Sequence, residues 1–286
     1  MPKTAGSLLL IAFLSGCNAP VRDPIQRLQD LGTTVVRNDH GDVTAVYPCN
    51  TPIRDEQMVD LAHLPQLQKL ELSNTGITDA GLVHLQSLTQ LEWLSLANTG
   101  IRGAGLVHIR GLSRLRILHL DQTAIGNGDL ANLASLTSLH TLSLSNTRIT
   151  GAGIAYLKSL TELKNLALER TDVTGAALVH LADLNQLFEL DLGRTHVTDA
   201  GLRHLKHLTR LRRLVLPKAI TDSGLIHLEP LNDLRELDLG STQVTAAGLP
   251  QLVNFPRIEQ LKLPASFDTA RVDELARSLP RCEVSQ

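Results

Sequence analysis

The chain has 286 residues, a formal net charge of −2, three cysteines and only 2% aromatic residues. A charge this close to zero gives no overall field for nucleic acid or an anionic membrane, and three cysteines are too few for a disulfide framework. So few aromatics in so long a chain point away from an irregular globular core and towards a regular stack of Leu, Val, Ile and Ala.

In chain order, residues 1–17 come first, reading MPKTAGSLLLIAFLSGC. A short segment carrying Lys3 precedes an apolar run from Leu8 to Leu14, and the small residues Ser15 and Gly16 follow. This is the layout of a secretory signal, and the run is shorter than the ~20 apolar residues a membrane-spanning helix needs. Leu14-Ser15-Gly16-Cys17 resembles the bacterial lipobox. The resemblance implies cleavage after residue 16 and lipid attachment at Cys17. Residues 17–23 then form a tether of at most about 20 Å. The mature chain is expected to be exported and held by lipid alone, facing the periplasm or the cell exterior.

Residues 24–42 read as an N-terminal cap: a helix from Pro24 to Leu31, then an extended stretch from Thr33 to Arg37. From 43 to 264 the sequence repeats the pattern LxxLxLxxTxITxxGLxxLxxL. Its first apolar position falls at Val43, Leu67, Leu91, Leu115, Leu139, Leu163, Leu187, Leu211, Leu234 and Ile258. The alternation around Leu70 and Leu72 predicts a strand, and the three-residue spacing of Leu82, Leu85 and Leu88 predicts a short helix or 3₁₀ turn. Thr78 suits an N-cap and Asp79 the positive end of that turn. Gly81 and its equivalents allow close backbone approach. Thr75 and its equivalents are expected to turn inward and satisfy loop backbone. No single unit can bury its leucines, so the units must stack. Leu216–Ile220 lacks one residue and its threonine, and a proline stands there and in Leu263–Phe267. A tighter turn and a local change of curvature are expected at these sites. Residues 265–286 read as a C-terminal cap, with a helix over 269–279 and a final strand over 282–284. Cys49 and Cys282 fall some nine strands apart, roughly 40 Å, so no bond is expected between them.

The repeat resembles the leucine-rich-repeat family, and its ITDAGL segments (77–82 and, as VTDAGL, 197–202) resemble the subclass of cysteine-containing and related bacterial repeats. The departure is threonine at 75, 99, 123, 147, 171, 195 and 242, where many relatives carry Asn or Cys. The resemblance implies an α/β solenoid of horseshoe form, with a parallel sheet on the concave face and short helices on the convex face. It also implies protein–protein interaction as the commonest use.

Between the strand leucines lie three columns of variable positions on a fixed frame. The first runs from Ala45 through Lys69, Trp93 and Ile117 to Glu189, Arg213, Glu236 and Gln260. The second runs from Tyr47 through Ser95 and His119 to Asp191, Asp238 and Lys262, and the third from Cys49 through Asp121 and Glu169 to Pro264. Trp93 beside Ile117 is either a partner anchor or a side chain packed on its neighbours. Glu169, Glu189, Asp191, Glu236 and Asp238 form either an acidic patch for a basic partner or calcium, or a solvated face balanced by Arg170, Arg194 and Arg213. Tyr47, Trp93, Ile117, His119, Asp121 and these five acids are the candidate contact residues.

Ser95, His119 and Asp121 invite a test for triad chemistry. His119 and Asp121, two residues apart on a strand, should lie about 6–7 Å apart, too far for the carboxylate to orient the ring. His84, His108, His180, His204 and His227 share one repeat position, but turns that fan apart on a convex face do not share a metal. The basic run from Arg203 to Arg213 lacks aromatic interleaving and reads weakly as a nucleic-acid site. There is no P-loop, GxGxxG motif or CxxC pair, so no catalytic residue, metal or cofactor is expected. The expectation is a non-catalytic scaffold in the bacterial envelope, binding an unknown protein or a cell-wall polymer through its concave sheet. The alternative is a structural or adhesive envelope module without one specific partner.

Overall fold

The computed structural model describes residues 23–48 and 53–286. Cys17 and Cys49 lie outside the described residues. The strands are β1 (Thr34–Arg37), β2 (Val43–Tyr47), β3 (Lys69–Glu71), β4 (Trp93–Ser95), β5 (Ile117–His119) and β6 (Thr141–Ser143). They continue as β7 (Asn165–Ala167), β8 (Glu189–Asp191), β9 (Arg213–Val215), β10 (Glu236–Asp238), β11 (Gln260–Lys262) and β12 (Glu283–Ser285). All belong to one sheet in chain order, and its two ends do not meet. β1 and β2 are antiparallel, whereas every pair from β2–β3 to β11–β12 is parallel.

The register follows the repeat. Leu70, Leu94, Leu118, Leu142, Leu166, Leu190, Leu214, Leu237 and Leu261 pair in one file and are fully or almost fully buried. Short helical turns on the other side bring in the remaining leucines. Leu82 and Leu85 are buried from the 3₁₀ turn Gly81–Leu85, in three later units the first turn is α-helical, and in one more an α-helical turn, Leu249–Leu252, follows the 3₁₀ turn Ala246–Gly248. A three-residue leucine spacing fits 3₁₀ geometry, in which residues i and i+3 eclipse.

One local device braces each unit and a second holds unit to unit. The threonine hydroxyl donates to the carbonyl three residues back: Thr75 to Leu72 at 2.6 Å, and likewise at 99, 123, 147, 171, 195 and 242. The backbone ladder skips that carbonyl, since Leu72 N and Asn74 N donate to the oxygens of Ser95 and Ala97. In the units of Thr75, Thr99, Thr123, Thr147 and Thr171 the hydroxyl therefore fills a buried acceptor that would otherwise be left bare, whereas Leu192 O and Leu239 O also accept from the backbone N–H of Thr195 and Thr242.

The second device differs from the sequence expectation. Asp79 does not serve its own turn but accepts from Gly103 N and Gly105 N of the next unit, at 3.1 and 3.0 Å. Asp55, Asp199 and Asp222 likewise accept from the backbone N–H and hydroxyl of Thr78, Thr221 and Thr245. Asn127 binds Thr150 through both its amide atoms. This explains the repeat glycine. A Cβ on Gly81 would stand 2.6 Å from Asp55 Oδ1, and one on Gly153 would stand 2.7 Å from Asn127 Oδ1. The pairs Asp55/Gly81, Asp79/Gly105, Gly103/Asp129, Asn127/Gly153, Gly151/Ala177, Gly175/Gly201, Asp199/Gly224 and Asp222/Gly248 each contain a glycine. Two neighbouring units share a space that holds only one side chain of size.

The helix Pro24–Asp30 lies over the first unit, where Arg27 Nε donates at 3.0 Å to each carboxylate oxygen of Asp60, itself 4% exposed. Asp60 raises the Arg27 pKa. The helix Thr269–Ser278 and β12 stand at the other end, and Cys282 is a free thiol. At the irregular sites the expected tight turns are present: Ile220 N donates to Pro217 O and Phe267 N to Pro264 O.

Candidate functional site

The strand register lines up the outward columns as the repeat requires. Lys69, Trp93, Ile117, Thr141, Asn165, Glu189, Arg213, Glu236 and Gln260 pair in one file. Glu71, Ser95, His119, Ser143, Ala167, Asp191, Val215, Asp238 and Lys262 form the next. Ala45 continues the first file, pairing with Lys69 on one side and with Val36 of β1 on the other, and is buried.

Trp93 is half-buried rather than openly exposed. It pairs with Ile117 across the strands, and its ring meets His119 edge-on, with centroids 5.8 Å apart and planes at 74°. Trp93 thus packs against His119 while remaining part-exposed. Tyr47 lies at the end of β2, well to one side.

The three residues tested for triad chemistry are each engaged elsewhere. Ser95, 2% exposed, shares a hydrogen bond with Ser73. Asp121 accepts from the Ser143 hydroxyl and from Ser145 N. His119 faces Trp93. Among the described residues no group of three or more His, Cys, Asp or Glu side chains is placed to hold a metal ion.

The acidic half is more finely divided than an acidic patch. Glu169 lies 3.9 Å from Arg170 Nε and 3.7 Å from Arg194 Nε. Glu236 pairs with Arg213 at 3.1 Å, and Asp238 with Lys262 at 3.6 Å. Most of this charge is thus balanced within the face. Glu189 and Asp191 remain without an ion pair among the described residues. Burial pushes the Asp191 carboxyl up, the Gly193 N–H at 2.8 Å pulls it down, and of the nearby charges Glu169 and Asp238 push it up while Arg213 pulls it down, leaving it raised.

These two acids border a shallow depression of about 210 Å³, lined also by His119, Ser143, Asn165 and Arg213. His119 belongs both to the depression and to the Trp93 contact, and so lies between the aromatic and the acidic candidates. Glu236 and Asp238 line a neighbouring concavity with Arg213 and Lys262. Asn165 and Ser143 carry ordinary polarity, and only the shape of the sheet marks them. Arg170 and Arg194 adopt φ of +55°, the left-handed region, as do Asn74, Asn98, Gln122 and Asn146 at the same repeat position.

A stack of parallel strands and short convex turns that presents an open sheet defines a solenoid scaffold. The family described as leucine-rich repeat region matches residues 50–275, and the chain belongs to the leucine-rich-repeat family. Among solved structures it is similar to an internalin (inlF) of Listeria monocytogenes, at 24% identity and a TM-score of 0.64. That match covers 80% of this chain and 69% of the internalin. It is also similar to an internalin C2 (inlC2) of the same species, at 28% identity and a TM-score of 0.57, over 71% of this chain and 81% of that one. No curated protein matches. Among the described residues no helix is long and apolar enough to cross a membrane.

Proposed function

We propose that the chain is a non-catalytic protein-binding scaffold displayed in the bacterial envelope, tethered by lipid at Cys17 and binding through its concave sheet. The observation that carries this reading is the depression shared by His119, Glu189 and Asp191 with Trp93 on its flank. It joins a half-buried aromatic to two carboxylates that have no direct ion-pair partner among the described residues, the combination that anchors and orients a partner carrying a basic group. Ile117, paired with Trp93, extends the apolar part. Tyr47, Asp121, Glu169, Glu236 and Asp238 form the surroundings rather than the centre.

Chemical cross-linking in intact envelopes followed by mass spectrometry tests the reading. The wild type should capture a discrete protein, and Trp93→Ala or the pair Glu189→Lys and Asp191→Lys should each lose it. Capture that survives both changes would sink the proposal. Cys17→Ser should release the chain from the membrane fraction, and retention there would contradict the tether.

A further inference from the structure

The residue just before each concave strand forms another file, on the flank where the chain enters the sheet. Its backbone is continuous: Arg116 N donates to Glu92 O, His140 to Arg116, Lys164 to His140, Phe188 to Lys164 and Arg212 to Phe188, all at 2.7–2.8 Å. The side chains therefore succeed one another at about 4.8 Å. Four of the five from Arg116 to Arg212 are cationic or can become so. The exception, Phe188, is covered by the Arg212 guanidinium 4.5 Å above its ring, which carries positive charge over that rung as well. Beside the file, Arg114 and Arg210 bond to the neutral amides of Gln90 and Gln186, so their charges stay uncancelled.

Among the described residues, none of Arg114, Arg116, Lys164, Arg210 and Arg212 has a carboxylate within 4.0 Å. The run is bounded at its far end, where Arg235 pairs with Glu259 at 2.7 Å. Two acids, Glu92 and Glu162, stand in the same region. The chain as a whole carries −2, so this flank is a local reversal of sign.

At its start the file borders a groove of about 680 Å³, where Arg114, Arg116 and His140 stand among the hydroxyls of Ser113, Thr137 and Thr161. His140 is oriented there, with Nδ1 2.7 Å from the carbonyl of Ser138. A single file of cations beside a hydroxyl-bearing groove matches a ligand that is linear, anionic and rich in hydroxyl groups. A membrane surface fits less well, because the exposed apolar side chains Val107, Val179 and Ile226 lie on the convex turns instead. Single-stranded nucleic acid needs open aromatic faces, and the file's aromatic is occupied by Arg212.

We propose that this flank, from Arg114 and Arg116 to Arg212, is a second binding surface, specific for a linear anionic polysaccharide. It acts independently of the concave site and would hold the scaffold against a charged envelope glycan while the sheet engages its partner.

Calorimetric titration of the full chain with polygalacturonate tests the assignment, with neutral dextran, polyglutamate and phosphatidylglycerol vesicles as comparisons. Binding of polygalacturonate is expected, weakening as salt rises past about 0.15 M. The double variant Arg116→Glu, Lys164→Glu should bind at least about tenfold more weakly, and Arg116→Gln, Lys164→Gln should show a smaller loss. Trp93→Ala and Arg277→Glu should bind as the wild type does. The proposal is overturned by no binding at low salt, by unchanged affinity in the charge-reversed variant, or by equal affinity for polyglutamate or the vesicles.

Discussion

The pairing of one glycine with one larger residue across neighbouring units predicts a specific non-additivity. Asn127→Gly removes the two hydrogen bonds to Thr150, each 2.8 Å, and adds a flexible residue, costing about 2 kcal/mol. Gly153→Ala places a Cβ 2.7 Å from Asn127 Oδ1 and within 3.1–3.2 Å of Ile149 and Leu130. The amide must swing away, so the same bonds break, and the cost is about 1–3 kcal/mol. The double variant reproduces the Gly151/Ala177 pair of the next unit. With the amide gone, the new methyl meets only the softer contacts. The double variant should therefore cost about 2 kcal/mol rather than the sum of about 3–5 kcal/mol, a coupling of about 1–3 kcal/mol. Urea unfolding of the four proteins, followed by circular dichroism and compared at equal m-values, measures the cycle. Costs that add to within about 0.5 kcal/mol would refute the shared-space account.

Further outcomes follow from the same geometry. Thr123→Val keeps shape but strips the bond to Leu120 O, leaving a buried carbonyl bare, and should lower stability by about 1–3 kcal/mol in thermal or urea unfolding. Arg194→Gly relieves a left-handed residue at the loss of one surface ion pair, so a net gain of up to about 1 kcal/mol is expected, and clear destabilisation would count against it. The raised Asp191 carboxyl binds its proton more tightly in the folded chain than in the unfolded one. Folding should therefore gain stability as pH falls through that raised value, until the ordinary carboxylate range is reached and both states are protonated. Asp191→Asn should be more stable than wild type at neutral pH and should lose this acid-side gain, as unfolding midpoints across pH would show.

The strands and their register were legible because a 24-residue period fixes every inward leucine. Even the degenerate first unit declares itself through Val43 and Val46. The inward threonine was legible for a similar reason, since a hydroxyl at the strand exit has few other uses. The role of Asp79 was not. A residue at a helix start suggests service to that helix, and only stacking shows its carboxylate reaching the next unit. The left-handed turn was signalled by Asn74, Asn98 and Asn146, whose short side chains tolerate positive φ, but Arg170 and Arg194 at the same position hid it. At the site, the columns could be written from the sequence, whereas the distribution of charge could not. Whether Arg213 pairs directly with Glu236 or with Asp191 depends on rotamers, and the pairing with Glu236 leaves Asp191 with Arg213 only at longer range, beside the like charges of Glu169 and Asp238. The edge-on approach of Trp93 to His119, which joins the two halves, lies on a diagonal between strands that no single repeat displays.

The central claim is that the concave depression is where a partner binds. A photo-reactive phenylalanine at Thr141, which lines that depression, compared with one at Val107 on the convex turn, tests it most directly. On irradiation of intact envelopes, position 141 should yield one protein adduct, lost when Glu189→Lys and Asp191→Lys are added, while position 107 yields none. Equal labelling from both faces, or an adduct at 141 that persists through the charge reversal, would contradict the account.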